Sequence, residues 1–317
     1  MSALVDLSDS QAAPEGAAQR VVVAVPAFNE DRYIGSLVLK LRKHRREVLV
    51  IDDGSTDATA ELADAAGATV LRHPRNLGKT AAVQTAFERA RHLDADVLVV
   101  LDGDSQHDPA QIDVLIEPIL AHGADMVVGT RFGAIRSAIP RWRVVGQHAL
   151  TMATNFGSGL HLSDTESGFR AFSRRAIEQM HFNARGFALE PATQFQAKAR
   201  GWKVVEVPIS VHYAIPLKRN PVWHGIGQLD AILRLIGEHR PLLFFGVPGL
   251  VVLLTGLMLG FQVVRIYEAT LQLAIGYALI TVLLVIVGVL ALFVGVMLHA
   301  IREIISNALR DSRRRPD

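Results

Sequence analysis

Residues 99–109 read VVLDGDSQHDP: an apolar run turns directly into the acids Asp102, Asp104 and Asp108, with the amide of Gln106 between them. A second run, VLVIDDGSTD at residues 48–57, ends the same way on Asp52 and Asp53. Asp102 and Asp104 stand two apart, so in an extended segment their carboxylates share one face. Carboxylates and an amide oxygen are hard ligands suited to Mg²⁺ or Mn²⁺, which bind through one or two protein acids and complete their shell on substrate phosphates. The competing reading is turn chemistry, because Asp favours turns and helix caps. Asp108 meets that need alone, with Pro109 at the first helical position, where a missing N–H costs nothing. Asp102 and Asp104 are left for a cation and the anion it accompanies.

The elements that must position these acids are legible as alternating patterns. Short β-branched apolar runs predict strands at 20–28, 47–53, 68–73, 96–102 and 125–131. Helical stretches fall between them: one after Glu30 through Leu41, ATAELADAA (58–66), KTAAVQTAFERARHL (79–93), one opened by Asp108, and a later one over 141–155. Thr56 or Asp57 caps the second of these, and Gly67 stands where a helix end wants a positive φ. Continuous apolar strands separated by helices predict an α/β fold with a mostly parallel sheet covered on both faces. Ligands of such sheets bind beyond the carboxyl ends of the strands. Asn29, Glu30, Asp52, Asp53, Asp102, Asp104 and Arg131 all fall there. Neither a GxGxxG turn after the first strand nor a phosphate-binding GxxxxGK[ST] loop is present, and NLGKT (76–80) lacks the required glycine spacing.

The chain has 317 residues, is 50% hydrophobic and has no cysteine, which removes disulfide and thiolate chemistry. Its net charge of +2 carries no sign of nucleic-acid binding. No residue is charged over 242–264 or over 273–298, and each run exceeds the ~20 residues a helix needs to cross a bilayer. Two such runs predict a transmembrane hairpin spanning 241–300. Arg234, His239 and Arg240 precede it, and Arg302, Arg310, Arg313, Arg314 and Arg315 follow, so the main domain and the tail at 301–317 are expected on the cytoplasmic side. The tail either grips anionic headgroups or serves topology alone. Residues 225–240 (GIGQLDAILRLIGEHR) place Ile226, Leu229, Ile232, Leu233 and Ile236 at helical spacing. This predicts an amphipathic helix, lying in the membrane interface or packed on the domain. Residues 1–19 read as a disordered leader, without the basic start of a signal peptide.

Taken in order, VPAFNE (25–30), VIDDGSTD (50–57), NLGK (76–79), LDGDSQHDP (101–109), GTRF (129–132), SDTESGFRAF (163–172) and WKVVEVPI (202–209) resemble the inverting family-2 glycosyltransferases of the polyprenyl-phosphate branch, typified by dolichol-phosphate mannose and glucose synthases. The similarity covers about residues 20–240 and implies a GT-A type catalytic domain over 20–224. By this resemblance Pro26, Phe28, Glu30, Ile51 and Asp53 hold the nucleoside with Lys79 nearby. Asp102, Gly103, Asp104 and Gln106 take the diphosphate and its Mg²⁺ or Mn²⁺, with Asp102, Asp104 and Gln106 as metal ligands. Arg131 and Arg143 meet the acceptor phosphate. Asp164, Glu166 and Arg170 shape the acceptor side, and Asp104, Arg131, Asp164 and Arg170 form the catalytic set. The family often carries HPP after the acidic motif, where this chain has His107-Asp108-Pro109, and His107 is expected to be structural. The arginine-rich loop of the mannose synthases is replaced by SVHYAIPLKRNPVWHG (210–225), in which Lys218 and Arg219 stand as substitutes.

The implied reaction moves a hexose from a UDP-hexose or GDP-mannose donor to a polyprenyl phosphate (dolichyl or undecaprenyl phosphate) with inversion. A phosphate monoester has its second pKa near ~6, so this nucleophile is already anionic and needs no general base. A membrane anchor brings the site to the lipid headgroup, and a homo-oligomer is compatible with the chain. Three other readings stand beside this one. A processive polysaccharide synthase carries QxxRW, imperfectly matched by QAKARGW at 196–202. The others are a non-catalytic membrane-tethered nucleotide-binding scaffold and transfer to a glycan or diacylglycerol.

Overall fold

The computed structural model describes residues 19–44, 46–131, 141–182, 189–211, 229–230, 232–237 and 240–312, with side chains described in all of these except 141–145 and 306–312. It divides into two compact units. The first comprises Met1–Ser137, Gly168–Ala184 and Trp202–His212, and the second Ala138–Ser167, Arg185–Gly201 and Tyr213–Asp317.

The first unit is a seven-stranded sheet built from β1 (Val21–Ala27), β2 (Glu47–Asp52), β3 (Thr69–Arg72), β4 (Val97–Val100), β5 (Met126–Thr130), β6 (Arg170–Ser173) and β7 (Val204–Pro208), in the order β3-β2-β1-β4-β6-β5-β7. Its helices are α1 (Asp31–Lys43), α2 (Thr59–Ala65), α3 (Lys79–His92), α4 (Ile112–His122) and α6 (Arg174–Gln179); α5 (Arg141–Ser158) and α7 (Leu189–Ala199) belong to the second unit. β1 pairs in parallel with β2 and β4, β2 with β3, and β5 with β7, whereas β6 runs antiparallel between β4 and β5. The continuous apolar runs are explained by burial on both faces: every residue of β4 and β5 is buried.

Pro26 sits in β1 without breaking the ladder, because the pairing with β4 ends at Ala24 opposite Val100 while that with β2 continues to Ala27 opposite Asp52. Asp108 accepts from the N–H of Ala110 and starts a short 3₁₀ turn, Pro109–Gln111, that leads into α4. Asp57 accepts from the N–H of Thr59 and Gly67 has φ 89°, both at the expected turns, and Gly201 at φ 64° follows the end of α7.

In the second unit α8 (residues 232–237) buries Ile232 and Ile236 against Phe195 of α7, with Leu150 and Ala153 of α5 beside them. A Cβ on Gly157 would lie 2.5 Å from Ile236, so α5 and α8 meet at glycine distance. Leu229 and Leu233 on the same stretch remain exposed. One face of the expected amphipathic segment therefore packs on protein while the other stays outward. This shared core is why α5 and α7, placed by sequence inside a continuous 20–224 block, group with the C-terminal helices.

A π turn, Leu242–Gly246, opens α9 (Val247–Thr270), followed by α10 (Ile275–Ser312). The helical spans Leu242–Thr270 and Ile275–Ile305 are long and apolar enough to cross a membrane, with 17% and 11% of their most apolar windows buried within the protein. A helix of a soluble core would be mostly covered, and the chain is a membrane protein. α9 continues through Arg265 to Thr270 and ends at Leu271 with φ 52°, so the helix runs on past the uncharged stretch 242–264 and the connection to α10 is short. α10 likewise runs past 301, so the first part of the expected tail is helical.

The two helices meet through glycines. A Cβ on Gly288 would lie 2.6 Å from the backbone N of Leu253, and one on Gly249 would lie 2.9 Å from the N of Leu292. Gly288→Leu is expected to force the pair apart and lower the stability of the detergent-solubilised protein by about 1–3 kcal/mol. Its melting temperature reads the effect directly, and an unchanged value would mean the helices do not meet there.

Candidate active site

The parallel pairing of β2, β1 and β4 brings the ends of the three strands to one edge. After Leu101 the chain presents Asp102, Gly103 and Asp104, and then Ser105 at φ 57° turns it back. The N–H of Gln106 donates to Asp104 Oδ1 at 3.0 Å. A Cβ on Gly103 would lie 3.4 Å from the carbonyl oxygen of Pro26, so the acidic turn rests against the end of β1. Lys79, the first residue of α3, sets its Nζ 2.6 Å from Asp102 Oδ1. Gly168 closes the other side: a Cβ there would lie 2.7 Å from Asp102 Oδ2 and 3.1 Å from Lys79 Nζ.

The two acids differ in charge state. Burial opposes ionisation of Asp102, but the Lys79 ammonium, His107 and Arg131 together hold its carboxyl below the usual range. Burial, the Asp102 charge and the Glu30 charge push Asp104 up to about 6. An acid whose folded pKa is raised costs stability above that pKa. The cost develops as pH rises from the unfolded value of 3.8 to about 6 and is fully expressed beyond. Asp104→Asn is therefore expected to stabilise the ligand-free protein at pH 7.5 by on the order of 1–3 kcal/mol, with the gain vanishing below about pH 4. Melting curves across that range check the sign.

At the end of β2, Asp52 is fully buried, pairs with Arg72 Nε at 3.0 Å and accepts from Ser55 N–H at 3.0 Å. Asp53, expected from the resemblance at the nucleoside, accepts from the N–H groups of Leu77 (2.9 Å) and Gly78 (2.8 Å) and meets His73 Nδ1 at 2.8 Å. Its carboxylate thus ties the turn after β2 to the loop before α3. Gly54 makes the approach feasible, with φ 71° and room for no Cβ, which would sit 2.4 Å from the carbonyl carbon of Arg75.

Asn29, at φ 55°, donates from its N–H to Ser55 Oγ and accepts at Oδ1 from Thr56 N–H, both at 2.9 Å. The N–H of Glu30 donates to Thr59 Oγ1 at 2.8 Å while its carbonyl accepts from the N–H groups of Tyr33 and Ile34 in α1. Pro26 lies opposite Ile51, and Phe28 is 36% exposed at the rim.

Arg131 follows β5, and its charge reaches Asp102. Arg170 is buried in β6 opposite Val100 and Val128. His107 is buried with its ring centroid 5.0 Å from that of Phe169 and bridges Val211. In the second unit Asp164 is fully buried and accepts at Oδ1 from Glu166 N–H at 3.3 Å. The side chain of Arg143, on α5, and all of Lys218 and Arg219 lie outside the described residues.

Sequence reasoning gave no role to Gly168, His73 or Ser55. The first lies in SDTESGFRAF, whose glycine was open to notice, but nothing local in the chain signals that it faces Asp102.

The donor set suits a divalent cation. Burial and the Asp102 charge together raise the pKa of Asp104, and Asp102 already holds a cationic ammonium. Among the described residues no cluster of three or more His, Asp or Glu side chains makes a metal centre by itself.

An α/β sheet with one antiparallel strand among parallel ones and an Asp-x-Asp at a central strand end is the arrangement expected from the resemblance to GT-A type glycosyltransferases. The chain belongs to glycosyl transferase family 2, whose profile matches residues 22–180. It is 33% identical over 249 residues to glycosyltransferase AglJ of Haloferax volcanii, covering 77% of this chain and 80% of that one. It is 29% identical over 215 residues to a UDP-N-acetylglucosamine–dolichyl-phosphate N-acetylglucosaminyltransferase of Methanococcus voltae, covering 61% and 86%. Among solved structures it is similar to glucosyl-3-phosphoglycerate synthase of Mycobacterium tuberculosis in complex with Mn²⁺, UDP and glucosyl-3-phosphoglycerate. That match has a TM-score of 0.55 and 24% identity, and covers 69% of this chain and 79% of that one.

Proposed function

We propose that the protein transfers a hexose, with inversion, from a uridine or guanosine diphosphate sugar to a polyprenyl phosphate at the cytoplasmic face of a membrane. The observation that carries the reading is the Lys79–Asp102–Asp104 corner at the strand ends, in a chain that finishes in two membrane-length apolar helices. The dolichyl-phosphate acceptor named for the Methanococcus voltae relative supports it.

Asp102 and Asp104, with Gln106, would hold Mg²⁺ or Mn²⁺, which when bound neutralises charge developing on the leaving diphosphate. Lys79 stands beside Asp102 to take up the same negative charge as the sugar departs. The nucleoside lies along the ends of β1 and β2, over Pro26, Phe28, Glu30 and Ile51, with Asp53 fixing the surrounding turn. By the resemblance, Arg131 and Arg143 would meet the acceptor phosphate, for which bidentate arginine geometry is suited, and Lys218 and Arg219 would stand in the loop that handles the donor. Asp164, Glu166 and Arg170 shape the acceptor side. Asp164 is assigned no proton, because the acceptor phosphate is already anionic. The hairpin keeps the site at the headgroup, since pulling an isoprenoid from the bilayer costs ~0.8 kcal/mol for each exposed CH₂.

The test is incubation of purified protein with Mg²⁺ or Mn²⁺, radiolabelled UDP- and GDP-sugars in parallel, and short-chain polyprenyl phosphate. Label is expected in the organic extract as a mild-acid-labile glycolipid. Label confined to polymer would assign a polysaccharide synthase instead, and no label with any donor would favour a nucleotide-binding scaffold.

A further inference from the structure

His73 is nearly buried beside the site and has no task in the proposed reaction. It follows β3, and its N–H donates to the carbonyl of Asp52 at 2.8 Å. Its side chain, 11% exposed, contacts Asp53 Oδ1 through Nδ1 at 2.8 Å and Thr85 Oγ1 through Nε2 at 3.0 Å. An ionised carboxylate only accepts, so Nδ1 carries the hydrogen and donates it to Asp53. The imidazole thereby joins the end of β2, the end of β3 and the second turn of α3.

Asp53 in turn receives the N–H groups of Leu77 and Gly78, the two residues before Lys79. Lys79 reaches Asp102 at 2.6 Å. The hydrogen bonds thus run from His73 through Asp53 and the loop to the ammonium at the acidic corner.

We infer that His73 is a positioning residue for donor binding: by holding Asp53 and α3 together it sets Lys79 where the diphosphate must lie. The inference rests on the proposed reading of this corner as the diphosphate site. With leucine at 73 the volume is kept but both hydrogen bonds are lost. Asp53 can then turn, and the loop over 74–78 no longer has a fixed seat. With asparagine, whose Nδ2 takes the place of Nδ1, the bond to Asp53 is restored and only the tether to Thr85 is given up.

The experiment is calorimetric titration of the full chain in detergent with UDP plus Mn²⁺ and with GDP plus Mn²⁺, continued with whichever binds more tightly. His73→Leu is expected to weaken binding about tenfold and Lys79→Met by at least as much. The double variant should bind no more than about twofold more weakly than Lys79→Met alone, the non-additivity expected of residues acting through one contact. His73→Asn should recover most of the affinity. Thr85→Val, which keeps the shape of threonine, should lose about threefold and likewise add nothing to Lys79→Met. It carries the test if the leucine variant does not fold.

Multiplicative losses in the double variants, or wild-type affinity in both His73→Leu and Thr85→Val, would overturn the role of His73 and leave the site reading standing. Wild-type affinity in Lys79→Met would overturn both.

Discussion

Asp104→Ala is expected to reduce glycosyl transfer by roughly a thousandfold or more, about 4 kcal/mol of transition-state stabilisation, while the protein melts no lower than wild type. The two halves of that expectation come from one cause. Asp104 is held beside Asp102 and near Glu30 with its carboxyl pushed up to about 6, so its charge works against the resting fold. In the proposed reading, that cost in the ligand-free protein is the cost of holding a carboxylate ready for the metal ion. Initial rates at saturating donor and acceptor, beside a melting curve, separate this from general unfolding. Full activity in the alanine variant would remove Asp104 from the metal set and with it the proposed handling of the diphosphate.

Gly168→Val is expected to lower transfer by about a hundredfold, ~2.7 kcal/mol, with Gly168→Ala intermediate. A side chain there would occupy the space of Asp102 Oδ2 and lie within 3.1 Å of Lys79 Nζ, so the ion pair must move aside. The expected readouts are graded by size: nucleotide affinity with Mn²⁺ falls from glycine to alanine to valine, along with the rate. Wild-type kinetics in the alanine variant would show that the pair tolerates displacement and that its position is not what the reaction needs.

These two residues differ in how they could be found. Asp104 was legible because two acids ending a buried strand contradict what burial asks of a chain, and the contradiction survives in the residue string. The strands were legible for a related reason: short β-branched runs such as VVVAVP and VLVV suit a sheet covered on both faces. Gly168 was not, because its constraint comes from Asp102 across the sheet, and a glycine in a turn has ordinary uses. Asp53 is placed at the nucleoside by the resemblance alone, and its hydrogen bonds to Leu77, Gly78 and His73 involve partners that meet only because β2 and β3 end side by side. The periodic segment before the hairpin was equally opaque. Ile232 and Ile236 suit a lipid face and a protein face alike, and only the glycine of α5 at position 157 decides that they turn inward.

The hairpin bears on the fate of the product. With Gly288 against Leu253, and Gly295 so near Gly246 that a Cβ would lie 2.9 Å from its nitrogen, one copy leaves no lumen between its two helices for a sugar to thread. In the proposed reading, a lipid-linked hexose made at this site would therefore depart sideways within the leaflet where it formed.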